Sequence, residues 1–218
     1  ILLDEYDTPL LEAYTDGYWD EMISTCRQLF HGAFTENEFY SRAIITGVTR
    51  VSKNSLFSDM NNIEVHTVTS AAYQECCGFT EQEVSDLCKK YQMSFDEAKQ
   101  WYDGYDLIAH HQSGDRYYSM YSPKSVVEAM LRHKFGTYWN QTETYEALKI
   151  YIQMDMDGLQ DSVVRMLAGE SVSINIGTFS NDMTTFTSKD DILTLLVHLG
   201  YLTYNIINGT VSIPNKEV

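Results

Sequence analysis

Two carboxylates stand side by side at Asp4 and Glu5, directly after the apolar run Ile1-Leu2-Leu3. A continuous rather than alternating run of β-formers suits a parallel strand buried on both faces. Tyr6, Asp7 and Pro9 mark a turn after it. In open α/β sheets, ligands bind at the carboxyl ends of strands, so the acidic pair would sit at a chemically useful edge. Neighbouring residues on a strand point to opposite sides, and the two carboxylates do not aim at one atom. One is suited to hold a metal ion. The other, on the bending backbone, is suited to handle a water. A strand ending in a solvated acidic turn is the plainer alternative, and four letters alone do not separate the two.

The elements that would position this pair follow in order. Asp16 to Phe34 reads as a helix, with Asp16 as N-cap and Ile23, Cys26, Arg27 and Phe30 at helical spacing. Tyr40 to Arg50 reads as a second strand, with Ala43, Ile44 and Ile45 apolar and Thr46-Gly47 ending the run. Strand, helix, strand implies a parallel βαβ unit. Ile63 to Thr69 alternates and suggests a third strand. Near residue 70 the texture changes. Thr80 with Glu83 forms a capping box, Ser94 with Glu97 repeats it, and Gly104 stops that helix. Helices are expected over Ser122–His133, Thr144–Gln153 and Gly158–Ala168. A last helix in "SKDDILTLLVHL" reaches Gly200, and two strands follow around Asn208-Gly209, a strong hairpin signal. A helix followed by a two-stranded wing is the ending of a winged-helix module. The expected division is 1–70 and 71–218.

Composition narrows the classes. The 218 residues carry 15 Lys+Arg against 31 Asp+Glu, a net charge of −16, which argues against unaided binding to nucleic acid or anionic membranes. No apolar stretch approaches the ~20 residues of a membrane span, and no signal peptide is visible. Cys26, Cys76, Cys77 and Cys88 make no metal-ligand spacing and read as reduced, buried thiols of a cytoplasmic protein.

Three stretches taken together, "ILLDEYDTPL", "AIITGVTRVSKNSLFSDMNN" and "CGFTEQEV…WYDGYD", resemble the bacterial AAA-ATPase-like family. This is a STAND-type P-loop group usually fused to a PD-(D/E)XK nuclease-like domain. The resemblance covers roughly residues 1 to 125, and the closing "GYLTYN…VSIPNKEV" is similar to the segment before the nuclease-like domain. It implies a mixed, mostly α fold. Residues 1–70 would be the C-terminal part of an α/β P-loop core, and 71–218 a helical lid ending in a winged-helix-like module. It implies that "LLDE" is a Walker B strand end. Asp4 would hold Mg²⁺, Glu5 would activate water, and Asp7 would help shape the turn. Thr46 would be a sensor reaching toward the γ-phosphate, and Arg50 a phosphate-sensing cation, although a surface Arg paired with local acids fits equally well.

The GxxxxGK[ST] phosphate loop of that family is absent from these residues. The chain therefore resembles the middle of a longer protein, with ATP and Mg²⁺ as cofactors of the parent and none expected on the fragment. Expected partners are the remainder of the parent chain, namely an upstream phosphate loop and a downstream nuclease-like domain. Protein partners and a homo-oligomer are also expected, the latter through uncovered apolar sheet surface. A rival reading is a non-catalytic protein-interaction module. A third is nucleic-acid binding through Lys189, Asp190, Asp191, Thr194 and His198, which two acids in the first turn disfavour.

Other clusters are weaker. "WYDGYD", Trp101 to Asp106, is either an aromatic ligand platform or a helix end packed around a glycine cap. "DMDGLQD", Asp155 to Asp161, lacks the spacing of a calcium loop and reads as a solvated helix start. His110-His111 reads as part of a polar loop. The 16 tyrosines are expected to wedge between lid helices.

Overall fold

The computed structural model describes residues 1–35, 37–47, 56–57, 60, 62–69, 73, 76–111, 114–139, 156–179, 186 and 188–218. The chain divides into two compact units, Ile1–Val65 with Thr178–Thr187, and His66–Gly177 with Ser188–Val218.

The first unit begins with β1 (Leu2–Leu3), which pairs in parallel with β2 (Ile44–Ile45) in the register Leu2↔Ile44 and Leu3↔Ile45. The strand–helix–strand pattern predicts this pairing. Between the strands lie two helices rather than one, α1 (Thr8–Asp16) and α2 (Trp19–Phe34). The expected turn at Pro9 is a helix start, because Pro at the first helical positions loses no needed hydrogen bond. Asp16 therefore ends a helix instead of capping the next one. Gly17 follows at φ 81°, the left-handed C-cap that glycine takes without a Cβ penalty. On α2, Ile23, Cys26, Phe30 and Phe34 are buried at helical spacing. They pack with Tyr6, Leu10, Leu56 and Met60, and Leu3 and Ile45 press on the same cluster from the sheet.

The other face of the two-stranded sheet is open. Leu2 is 83% exposed and Ile44 60% exposed, so the strand expected to be buried on both faces is covered on one. Ile63 to Thr69 forms no strand. Its residues join no ladder, and Val65 and Val68 are exposed.

The second unit opens with α3 (Glu81–Tyr91) and α4 (Phe95–Tyr102). Both halves of the capping box form at Thr80 and Glu83, whereas Ser94 only accepts from the Glu97 amide, at 3.2 Å. With α5 (Pro123–Arg132) these helices bury Val84, Cys88, Ala98, Tyr102, Val126 and Met130. Between α4 and α5, where the sequence reading places a polar loop, the structure has strands. The chain forms an antiparallel pair, β3 (Tyr105–His111) with β4 (Gly114–Met120), in the register Tyr105↔Met120 to His111↔Gly114. Gly104 at φ 106° redirects the chain after Asp103, and β-formers such as Leu107, Ile108, Tyr117 and Tyr118 supply the strands. His110 and His111 thus lie in a strand, not a loop.

Then come a 3₁₀ turn at Met156–Gly158, α6 (Leu159–Leu167), β5 (Val172–Ser173), α7 (Lys189–His198), β6 (Thr203–Asn205) and β7 (Thr210–Ser212). The last three strands form one antiparallel sheet in the order β5-β7-β6. β5, two residues long, escapes any sequence pattern. The helix expected at Thr144–Gln153 lies outside the described residues.

Cys26 and Cys88 are buried, and burial pushes both thiols up. Cys76 and Cys77 are exposed, contrary to the expectation that all four are buried. Among the described residues no helix is long and apolar enough to cross a membrane.

Candidate functional site

The acidic pair sits where the two parallel strands end. Thr46 donates its amide to the Leu3 carbonyl at 2.9 Å and accepts from the Tyr6 amide at 3.0 Å. The ladder therefore closes on both sides of Asp4-Glu5, and the two acidic residues bow out of it. Thr46 spans that bow and donates its hydroxyl to Asp4 Oδ1. The Glu5 amide donates to the same oxygen at 3.1 Å. Asp4 is thus oriented from two directions while remaining exposed.

Glu5 takes φ 51°, a left-handed conformation that costs a non-glycine residue about 1–2 kcal/mol. This torsion turns Glu5 away from the ladder and lets the chain re-enter it at Tyr6. The following residue, Asp7, is 1% exposed at the N-cap of α1. Gly47 lies against it. A Cβ there would sit 2.6 Å from Asp7 Oδ1 and 2.6 Å from Tyr6 Cε1. The glycine that ends "AIITG" is therefore required by the close approach of the acidic turn, not only by the end of a strand. The spacing of Thr46-Gly47 pointed to this edge; the role of Gly47 as the space for Asp7 and Tyr6 is visible only in three dimensions.

The structure brings Asp4, Glu5, Thr46 and Asp7 to one edge. Arg50 lies outside the described residues. Among the described residues no group of three or more His, Cys, Asp or Glu side chains could hold a metal by itself. Magnesium takes one or two carboxylates and fills its remaining positions with water and phosphate oxygens. Asp4 fits that sparse donor set, because its second oxygen adds acceptor sites beyond those engaged by Thr46 and Glu5.

Comparison with known proteins bears on the same region. Residues 1–57 match the AAA-ATPase-like family, described as a predicted AAA-ATPase. The chain is 29% identical over 147 residues to an uncharacterised protein in the vnfD 5′ region of Azotobacter chroococcum mcd 1. That alignment covers 66% of this chain and 27% of the relative, so the chain spans about a quarter of the length of the curated relative it matches. No solved structure matches.

Proposed function

We propose that the β1–β2 edge is the catalytic edge of an ATPase, with Asp4 holding Mg²⁺, Glu5 activating the attacking water and Thr46 orienting Asp4 while sensing the nucleotide. The observation that carries this reading is the hydroxyl of Thr46 set on Asp4 Oδ1 across two parallel strands that end together. The match of residues 1–57 to a predicted AAA-ATPase supports it at the level of family likeness.

Bound Mg²⁺ would neutralise phosphate charge and fix the nucleotide at the sheet edge. Asp4 supplies the carboxylate for it. Thr46 keeps that carboxylate in one rotamer, so little order must be acquired on binding. Glu5, set out of the ladder by its left-handed torsion, presents a separate carboxylate that can take a proton from water. Backbone amides and a Lys normally neutralise the β- and γ-phosphates. We assign that task to a phosphate loop elsewhere in a longer polypeptide, a reading consistent with the length of the relative. The second unit, with α7 and the β5-β7-β6 sheet, is read as a lid ending in a winged-helix-like module. The nucleotide would switch contacts to an attached nuclease-like domain. The rival reading, a protein-interaction module without catalysis, predicts an edge indifferent to nucleotide.

Nucleotide titration of the longer polypeptide, with and without Mg²⁺, tests the assignment. Asp4→Asn should abolish most of the Mg²⁺ dependence of ATP affinity. An unchanged Mg²⁺ dependence would remove Asp4 from the metal role. The isolated 218-residue chain should bind Mg-ATP no tighter than about 100 μM, roughly −5.5 kcal/mol.

A further inference from the structure

Three of the first four residues of the "WYDGYD" stretch, Trp101, Asp103 and Gly104, meet the segment that follows β7. Asn215 Nδ2 donates to the Asp103 carbonyl at 2.9 Å. The Lys216 ammonium lies 4.4 Å from the centre of the Trp101 ring. The Lys216 amide donates to the Gln100 carbonyl, just before the stretch, at 3.2 Å. A Cβ on Gly104 would stand 2.1 Å from the Pro214 carbonyl oxygen, and φ 106° independently disfavours any side chain there. Tyr102 is fully buried, and its hydroxyl both donates to the Gly136 carbonyl at 3.0 Å and accepts from the Gly136 amide at 3.1 Å. That exchange holds the wall on which the next residue of the segment lands.

The next residue is Glu217, a carboxylate only 5% exposed. Three donors converge on its Oε1: Ser125 Oγ at 2.8 Å, the Tyr138 amide at 2.7 Å and the Trp139 amide at 3.0 Å. Charge-assisted bonds of this kind are the strong ones, and leaving their donors unpaired in a buried place is costly. Trp139 continues the connection. Its ring lies 4.6 Å from that of Tyr201 and against Gly200, just beyond α7. It also walls a cleft of about 220 Å³ with Tyr105, Tyr121 and Thr203.

The geometry points to a peptide-binding site on the second unit, formed by "WYDGYD", Ser125 and the Tyr138–Trp139 amides, that recognises a Pro-Asn-Lys-Glu segment and is filled in cis by Pro214–Glu217. The recognition is typical of a docked peptide. Main-chain carbonyls read Asn215 and Lys216, an aromatic face takes the lysine, and a three-donor cradle takes the glutamate. Among the described residues no ladder hydrogen bond holds the segment. It is anchored by a few side chains and the Lys216–Gln100 main-chain hydrogen bond, and such segments open locally at less cost than global unfolding. The docked segment is therefore a latch. When it leaves, the cradle empties, Trp139 loses its backbone anchor and the cleft beside Gly200 widens. This inference does not depend on the nucleotide reading.

Amide hydrogen exchange of the full chain carrying Glu217→Ala tests it. Exchange at Tyr138 and Trp139 should quicken about 10- to 100-fold, while α3, α5 and α7 keep their protection. Glu217→Gln, which keeps an acceptor oxygen, should lose less. Gly104→Ala should reproduce the loss from the other end of the site. Adding the peptide SIPNKEV in trans to Glu217→Ala should restore protection, and the same peptide with alanine for glutamate should not. Unchanged exchange in Glu217→Ala overturns the latch. So does equal loss across α3, α5 and α7, which would make the segment a strut of the core. Local loss that the peptide fails to reverse overturns the peptide site.

Discussion

A glutamate at φ 51° in a two-residue bow is an unfavourable choice for stability alone, because glycine adopts that torsion freely. Backbone outliers of this kind persist where something other than stability holds them, and here the residue concerned is the proposed water-activating group. Glu5→Gly should therefore unfold no more easily than the native chain, and up to about 1 kcal/mol less easily, by urea denaturation, while abolishing any hydrolysis. A marked loss of stability would mean that the Glu5 side chain serves the fold. Gly47 makes the opposite case. Gly47→Ala should destabilise by about 1–3 kcal/mol, as overpacking against a buried ring does, and the same denaturation measurement reads it. The acidic pair was legible in the sequence because adjacency and strand periodicity are local. The torsion of Glu5 and the narrow space at Gly47 were not, because both arise from the return of the chain between Leu3 and Tyr6.

Elements with complete local signals behave as their signals predict. At α3 the Thr80 hydroxyl and Glu83 carboxylate satisfy each other's backbone amides, and hydrogen bonds from the Thr80 amide and hydroxyl hold the Glu83 carboxyl below its ordinary value of 4.5. A lowered folded-state pKa stabilises above the unfolded value and is lost as pH falls through the folded one. Stability from this box is thus present above about pH 4.5 and declines below it. Thr80→Ala should cost about 1 kcal/mol at neutral pH and lessen that acid-side decline without abolishing it, because the amide of residue 80 still donates to Glu83, read by thermal melts across pH 3 to 7. Where the signal is shared between alternatives, the element diverges. Pro9 serves a turn or a helix start equally well, and the helix wins because Leu10 and Ala13 are fully buried. The β3–β4 pair lacks a strong two-residue turn signal, and its apolar positions are interrupted by Asp106, His110, Asp115 and Arg116. The alternation at Ile63–Thr69 is better than that of β3, yet it joins no ladder, because alternation specifies a face and not a neighbour.

At the scale of the whole molecule, charge and burial restrict what the chain can meet. The net charge of −16 opposes a polyanion, and α7, the helix that a winged-helix reader would insert, buries seven consecutive residues from Asp191 to Val197. Asp191 is spent on capping Ser188, and the Thr194 hydroxyl donates to the Asp190 carbonyl at 2.6 Å. Of the residues offered for a groove, two are therefore buried in the fold. The chain should leave a fluorescent DNA duplex unshifted at micromolar concentration and about 150 mM salt, and a saturable shift would reverse the assignment of this helix. The charge balance and the closing helix–hairpin were readable in the sequence. The burial of α7 was not, because a run such as Ile192 to Val197, apolar except at Thr194, states that a helix is apolar without stating what covers its polar side. At the sheet edge, the proposed division of labour sets Asp4 on the metal and Glu5 on the water. Single-turnover ATP hydrolysis by the longer polypeptide carrying Glu5→Gln, with nucleotide affinity determined in parallel, tests that division. Near-native affinity is expected, with hydrolysis slowed roughly 10²- to 10⁴-fold, the usual worth of a positioned general base. Hydrolysis at the native rate would contradict that division and leave Asp4-Glu5 as a solvated turn.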